Sequence, residues 1–168
     1  MKRLILVRHA KSSWAKPTLA DKMRPLNERG QTAAKRVGVW LAENGYQPDQ
    51  VLSSTAERCR ETWNGLAQSL EKVSNIQFSE FLYLATSQDM LSVLQTATGE
   101  TVMMLGHMPG LGEFARNLRR DPPPNHPSFQ EYPTAAVTVL DFLIDEWEQA
   151  EFGNARFVEY ITPRDLGA

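Results

Sequence analysis

Two short apolar runs in this chain each end on a histidine, and this feature constrains the fold more than any other. Residues 4–7 lead directly into Arg8 and His9, and residues 102–105 lead into Gly106 and His107. Four-residue apolar runs bounded by polar residues are typical of strands buried in a parallel sheet. In an open α/β sheet, ligands bind beyond the carboxyl ends of the strands. The sequence therefore predicts that both histidines reach one ligand-binding edge.

Four segments between and after these runs have the apolar spacing that predicts a helix. They begin at or near Asn27, Thr55, Ser87 and Pro109. Asn27 and Ser87 are the predicted N-caps, and Asn44 with Gly45 ends the first helix. Residues 10–25 and the proline-rich residues 121–133 are predicted loops.

Further strands are predicted at residues 51–54, 76–78 and 101–105. Residues 136–143 and 156–161 predict an antiparallel pair joined by a turn at Gly153 and Asn154. Strands separated by helices favour a mostly parallel central sheet covered on both faces. We therefore expect a three-layer α/β/α sandwich with an antiparallel C-terminal strand pair, formed as a single domain over residues 1–168.

Composition excludes several classes of protein. The 168 residues carry a formal net charge of -2, without the basic excess of a nucleic-acid-binding domain. Cys59 is the single cysteine, so neither an internal disulfide nor a cysteine-built zinc site can form. The apolar run after the basic start ends at Val7, too short for a signal peptide, and no stretch approaches the roughly 20 residues of a membrane helix. We expect a cytoplasmic protein with no membrane partner.

Arg8, His9, Arg58 and His107 carry the chemistry that the predicted edge suggests. A neutral imidazole is a nucleophile toward phosphorus, and a covalent intermediate divides a difficult displacement into two easier steps. Arginines supply the positive charge that phosphoryl transfer requires around the equatorial oxygens. Arg58 follows the strand at 51–54 and lies in the first turns of the next helix, where an anion is also favoured. No metal is needed in this scheme.

Each of these four residues also suits a structural role when taken alone. Arginines are mostly solvated surface charges, and a histidine at a strand end can have only a satisfied hydrogen bond. A functional role is favoured because the two histidines occupy equivalent positions. Both end predicted strands, and both are followed by loops that open toward helices.

Three ordered segments resemble the histidine phosphatase superfamily, also called phosphoglycerate mutase-like. The R-H-A at residues 8–10 resembles the R-H-G signature of that family. Residues 53–62, with Ser53, Ser54, Arg58 and Thr62, are similar to its second segment, and residues 106–109 to its G-H-x-P segment. Residues 8–12, 21–30, 132–134 and 162–166 look like the small SixA-type phosphohistidine phosphatases.

The resemblance implies that His9 is the nucleophile and that Arg8, Arg58 and His107 form the phosphate pocket, with no cofactor. Two positions depart from the pattern. Ala10 replaces the usual glycine, and Met108 stands where many relatives have asparagine. Neither departure changes the four groups assigned to the chemistry.

The general acid is less defined, and two carboxylates are candidates. Family members that act on alcohol phosphates often take an acid from an inserted cap, but the interval from Arg58 to His107 is short. Asp21 lies in the first loop, in the part that looks SixA-type, and Glu80 ends a predicted strand. Alternatively, Asp21 pairs with Arg24 and shapes the loop, and Glu80 faces solvent.

A reduced cap favours a substrate presented on a protein surface. We therefore expect a metal-independent phosphatase that removes phosphate from a phosphohistidine-bearing signalling domain. The alternative is a phosphomonoesterase that acts on small sugar or metabolite phosphates. A third reading is a phosphate-binding module without turnover.

Overall fold

One six-stranded sheet organises the molecule. The computed structural model describes residues 1–168 and gives the strand order β3-β2-β4-β1-β5-β6. The strands are β1 (Lys2–Arg8), β2 (Gln50–Ser54), β3 (Asn75–Ser79), β4 (Thr101–Gly106), β5 (Val137–Phe142) and β6 (Ala155–Ile161). The first four are parallel, whereas β5 pairs antiparallel with both β1 and β6. The predicted fold class is confirmed.

Helices cover both faces of this sheet. They are α1 (Glu28–Glu43), α2 (Glu57–Ala67), α3 (Ser87–Leu94) and α4 (Gly110–Leu118). The Asn27 side chain caps α1 by accepting from the Gly30 amide at 2.8 Å, as predicted. The cap of α3 is Thr86 rather than Ser87, because the Thr86 hydroxyl accepts from Asp89 N and Ser87 is already helical.

Alternation along the strands divides the core into two halves. Ile5 and Val7 of β1 pack in the cluster that holds the apolar faces of α1 and α2. Leu4 and Leu6 pack on the opposite face with α3 and α4. Both faces of the central strands are buried, which is the reason that their sequence reads as continuous apolar runs.

The connection between β5 and β6 differs from the prediction of a simple turn. It contains a 3-10 turn at Trp147–Gln149 in addition to Gly153, which has a φ of 75°. The side chain of Trp147 is buried and donates to the Gly99 carbonyl at 2.6 Å. This connection therefore packs into the core instead of turning tightly at the surface.

Two further 3-10 turns lie at the carboxyl edge of the sheet. The Asp21 turn (Asp21–Met23) interrupts the first predicted loop, and the Glu80 turn (Glu80–Leu82) follows β3. None of the four α-helices combines the length and the apolar composition that crossing a membrane requires.

Candidate active site

The two histidines meet because their strands are parallel neighbours. In the sheet Arg8 of β1 pairs with Gly106 of β4, so the residue that follows each strand emerges at the same edge. The amide of His9 donates to the Gly106 carbonyl at 3.2 Å, and the imidazole centroids of His9 and His107 are 5.3 Å apart. The predicted convergence of both imidazoles is therefore present.

Arg58 enters the same space from the first turn of α2. Its side chain is almost completely buried, and its Nη2 lies 3.3 Å from Nδ1 of His107. Thr62, one helical turn later, donates to the Arg58 carbonyl and accepts from the Ala10 amide at 2.9 Å. This hydroxyl fixes the start of α2 against the segment that follows His9.

Arg8 completes the group from the end of β1. Its Nη1 donates to the Tyr132 carbonyl at 2.9 Å, and no carboxylate pairs with it. Burial and the charge of Arg58 lower the pKa of Arg8. All four residues predicted for the phosphate pocket thus lie at one edge of the sheet.

Hydrogen bonding identifies the reactive nitrogen of His9. Its Nδ1 lies 2.7 Å from the Ala10 carbonyl, and a carbonyl can only accept. Nδ1 therefore carries the proton, which leaves the lone pair on Nε2. Burial, with the charges of Arg58 and Arg8, lowers the pKa of His9 to about 4, so the ring is neutral at physiological pH.

His107 is also neutral and is held in the other tautomer. Arg58 can only donate, so Nδ1 of His107 accepts from it and Nε2 carries the proton toward the Ser54 hydroxyl at 2.8 Å. Burial, His9 and Arg58 lower the pKa of His107 to about 3. The ring of Tyr83 packs edge-on against it, with centroids 5.4 Å apart.

Two buried donors in the pocket have no acceptor in the protein. These are Nε of Arg8 and Nε of Arg58, and Nε of Arg119, at the end of α4, is a third such donor elsewhere in the protein. Buried polar groups in proteins are almost always hydrogen-bonded, and an exception calls for an explanation. Two unsatisfied guanidinium donors beside a neutral imidazole fit an anion with several oxygens, such as a phosphoryl group.

Asp21 contacts the pocket, but not in the state that a general acid requires. One carboxylate oxygen accepts from Arg58 Nη2 at 2.9 Å and from the Tyr83 hydroxyl, and the other accepts from Arg24. The Tyr83 hydrogen bond and the two arginines hold the pKa of Asp21 far below its usual range. An ionised carboxylate has no proton to give, so this arrangement does not support the expected acid.

Glu80 lies beside the Asp21 turn and outside the pocket. Its exposed carboxylate binds Lys22 at 2.5 Å and Thr55 at 2.9 Å. The Lys22 and Thr55 hydrogen bonds lower the pKa of Glu80, so this group is ionised as well. It connects the two 3-10 turns rather than facing the histidines.

Cys59 borders the pocket more closely than the sequence indicated. Its sulfur is 3.7 Å from Nε2 of His107. Burial raises the pKa of this thiol to about 12, so it packs as a small neutral group. The structure contains no group of three or more His, Cys, Asp or Glu side chains arranged to hold a metal ion.

Sequence reasoning missed Tyr83 and the Ser54 contact with His107. Tyr83 follows a 3-10 turn, so neither helical nor strand periodicity marks its direction. The segment at 132–135 has an unusual backbone in the structure, because Tyr132 and Ala135 both have positive φ, at 50° and 60°. Non-glycine residues rarely adopt this conformation, and they concentrate at functional sites. Here they hold the chain that contacts Arg8.

Comparison with known proteins agrees with this geometry. Residues 4–83 match the model of the histidine phosphatase superfamily (branch 1). The proposed phosphohistidine phosphatase SixA of Agrobacterium tumefaciens is 27% identical, with a TM-score of 0.78 over 96% of this chain and 98% of that one. The chain belongs to the histidine phosphatase superfamily. It is a phosphatase, a hydrolase of phosphorylated substrates, and its fold is of the SixA type.

Other relatives cover nearly all of the chain. The proposed SixA of Nakamurella multipartitia is 25% identical, with a TM-score of 0.79 over 96% of each chain. An uncharacterised chloroplastic protein of Arabidopsis thaliana is 34% identical over 160 residues, which cover 89% of this chain and 70% of that protein. A Mycobacterium leprae protein is 29% identical over 94% of this chain and its own full length.

Proposed function

We propose that this phosphatase removes phosphate from phosphohistidine carried on a signalling protein domain, with His9 as the nucleophile and no metal ion. The observation that carries the proposal is the neutral ring of His9, whose Nδ1 is held by the Ala10 carbonyl while Nε2 keeps its lone pair. A binding module would need the arginines but not this nucleophile. The proposed catalytic group is His9, Arg8, Arg58 and His107.

The reaction proceeds in two displacements. Nε2 of His9 attacks phosphorus, the bond from phosphorus to the substrate nitrogen breaks, and the substrate imidazole leaves with that electron pair. Water then attacks phospho-His9, gives up a proton to solvent, and releases orthophosphate with Nε2 restored. The Ala10 carbonyl accepts from Nδ1–H throughout and stabilises the positive ring of the intermediate.

Arg8 and Arg58 stabilise the negative charge of the phosphoryl group as it passes from the substrate imidazole to His9. Their unpaired Nε atoms are donors for the equatorial oxygens of the phosphoryl group. His107 orients the Arg58 guanidinium through Nδ1, and the Ser54 hydroxyl fixes the orientation of the His107 ring.

The protonation states favour phosphohistidine over alkyl esters. Asp21 and Glu80, the two candidate acids, are both ionised, because hydrogen bonds from Tyr83 and two arginines lower the pKa of Asp21 and hydrogen bonds from Lys22 and Thr55 lower the pKa of Glu80. An alkoxide leaving group gains roughly 10² to 10⁴ in rate from a positioned acid. A phosphohistidine protonated on its other ring nitrogen leaves as neutral imidazole and needs no such donor.

The surroundings of the pocket support a protein substrate. Between α2 and β4 the chain forms only β3, the Glu80 turn and α3, so we propose a single domain with a reduced cap. Trp14 and Phe81 are 72% and 79% exposed on the two segments that flank the Asp21 turn. Exposed aromatic side chains beside a pocket are typical of surfaces that contact a partner protein.

Rates of hydrolysis in the presence of a chelator test the proposal. The substrates are a histidine-phosphorylated carrier domain, an aryl phosphate and a series of alkyl phosphates. We expect kcat/KM for the phosphohistidine protein to exceed that for the alkyl esters by at least about 10². A His9→Ala variant is the matched negative control.

Equal rates for alkyl esters would contradict the phosphohistidine assignment and favour a small-metabolite phosphomonoesterase. Release of phosphate by the His9→Ala variant would contradict the nucleophile. Loss of activity in chelator would contradict a metal-independent reaction.

A further inference from the structure

The Asp21 carboxylate occupies donors that a phosphoryl group would use. Arg58 offers Nη2 to this carboxylate at 2.9 Å and Nη1 to the Asp21 carbonyl at 2.7 Å. The same Nη2 lies 3.3 Å from Nδ1 of His107. A carboxylate oxygen is therefore bound on the guanidinium edge that faces the catalytic histidines.

The Tyr83 hydroxyl donates a hydrogen bond to the same oxygen of Asp21. Its ring is fixed against His107, so the hydroxyl is held close to the pocket. Two donors, Arg58 Nη2 and Tyr83 Oη, thus converge on one carboxylate oxygen. Two donors that converge on an anionic oxygen suit a phosphoryl oxygen equally well.

We propose that Asp21 is an internal counter-anion that the phosphoryl group displaces, so that Arg58 Nη2 and the Tyr83 hydroxyl pass from the carboxylate to a phosphoryl oxygen. Tyr83 then acts as a specificity-determining contact, and Asp21 sets how tightly the pocket holds an oxyanion. The proposal rests on the proposed function, since it assumes that this pocket binds phosphate.

Asp21 has a second cationic partner besides Arg58. Its other carboxylate oxygen accepts from Arg24 Nε at 3.2 Å and Nη2 at 3.1 Å. Arg24 is itself buried and is fixed by the Ser12 hydroxyl at 2.7 Å and by the Trp14 ring at 3.7 Å. The carboxylate can therefore release Arg58 and still keep a cationic partner.

The Asp21 turn is built to move at low cost. It is three residues long, contains no buried residue, and has no side-chain cap at its start. The hydrogen bonds that hold it to the rest of the protein are mainly those of Asp21 itself and of Lys22 with Glu80. Segments with few buried apolar contacts open most readily.

Electrostatics requires the exchange. A phosphoryl dianion and an ionised carboxylate that share one buried guanidinium repel each other, and the Asp21 side chain, which is 43% exposed, can turn toward solvent when the phosphoryl group binds. Displacing the carboxylate removes this repulsion and returns two donors to the ligand. Asp21 therefore weakens oxyanion binding, and we expect its neutral replacement to tighten binding by about 10-fold.

Calorimetric titration with orthophosphate measures this effect. We expect Asp21→Asn to lower the Kd of phosphate about 10-fold relative to the unsubstituted protein. Glu100→Gln is the matched control, because Glu100 is also a carboxylate paired with a cation, Lys2 at 2.8 Å, but at the opposite edge of the sheet. This control is expected to leave the Kd unchanged.

A double-mutant cycle with Tyr83→Phe tests the exchange of donors. In the Asp21→Asn background the loss of the hydroxyl removes a phosphate contact, and we expect the Kd to rise about 5-fold. With Asp21 present, the same substitution also loosens the carboxylate, so its effect on the Kd is smaller. Asp21→Ser, with a circular dichroism spectrum for each variant, replaces Asp21→Asn if the latter misfolds.

Weaker or unchanged phosphate binding by the neutral variants would overturn the proposal, because it would show that Asp21 positions Arg58 without competing for it. If Tyr83→Phe changed the Kd of phosphate equally in both backgrounds, the proposal that the Tyr83 hydrogen bond passes from Asp21 to the phosphoryl group would be overturned. If the unsubstituted protein did not bind phosphate, the site would not be a phosphate pocket, and the proposed function itself would be contradicted.

Discussion

The two ends of β1 each present an arginine, and the two arginines have opposite surroundings. At the amino end Arg3 makes a two-point contact with Asp141, at 2.7 and 2.9 Å, and this hydrogen bonding raises the pKa of Arg3. At the carboxyl end Arg8 has one carbonyl acceptor and a buried Nε without a partner, and burial lowers its pKa. One strand thus carries a charge that is compensated and a charge that is not.

The same contrast extends across each edge of the sheet. At the amino edge Lys2 pairs with Glu100, and Arg156 adds a second cation to Asp141. At the carboxyl edge two neutral histidines and Arg8 lie together without a carboxylate of their own. An unpaired buried charge lowers the stability of the free protein. At the carboxyl edge this charge is compensated when an anionic ligand binds.

The largest effect is expected at His9. His9→Asn keeps a donor for the Ala10 carbonyl but removes the nucleophilic Nε2, so kcat should fall by at least about 10³. Steady-state hydrolysis of phosphohistidine measures this loss. A variant that retained more than a tenth of the activity would show that the carboxyl edge does not act through His9.

Alanine at the two arginines should give opposite results. Arg8→Ala removes a donor aimed at the phosphoryl group and one hydrogen bond to the Tyr132 carbonyl, so kcat/KM should fall about 10²-fold while the free energy of unfolding falls by at most about 1 kcal/mol. Arg3→Ala leaves Asp141 short of its partner, so the free energy of unfolding should fall by about 2 kcal/mol while activity remains. Urea unfolding and hydrolysis rates, measured on both variants, check that Arg8→Ala mainly lowers activity and Arg3→Ala mainly lowers stability. Parallel effects of the two substitutions would break the comparison.

Acid should destabilise the protein through the carboxyl edge. His9 has a folded pKa of about 4 against an ordinary value near 6.5, so the unfolded chain binds more protons between these values. Its contribution is fully present above pH 6.5 and declines as the pH falls toward 4, by about 3 kcal/mol for this group. Unfolding free energies across this range should decline less in His9→Asn. The same slope in both proteins would contradict the buried neutral ring.

The smallest effect is expected at Glu80. Its carboxylate binds Lys22 and Thr55 in solvent, so Glu80→Gln should change kcat/KM by less than about threefold. A loss of 10²-fold in the alkyl ester reactions alone would restore Glu80 as a proton donor and place chemistry outside the pocket.

The parts of this molecule that follow local patterns were predictable. The apolar runs predicted β1 and β4, and parallel pairing then brought His9 and His107 together. The cap of α3 was misplaced by one residue because Thr86 and Ser87 both carry a hydroxyl, and the apolar spacing does not distinguish them. The β5–β6 connection was missed because Trp147 is buried through a contact with Gly99, 48 residues away in the chain.

The state of Asp21 could not be predicted from the sequence for the same physical reason. Its ionisation depends on Arg58 and Tyr83, which lie 37 and 62 positions away along the chain. A spacing pattern identifies a carboxylate near a site, but only the fold shows which donors reach it. The proton donor is therefore the part of the site that the sequence does not identify.

The most direct test of the account is to locate the phosphoryl group during turnover. The protein is mixed with a phosphohistidine substrate, quenched in alkali to preserve phosphate bound to nitrogen, and digested for mass spectrometry. We expect phosphate on His9 in the unsubstituted protein and no phosphopeptide in His9→Asn. Phosphate on His107 instead, or full turnover with no covalent phosphate at any time point, would contradict the central claim.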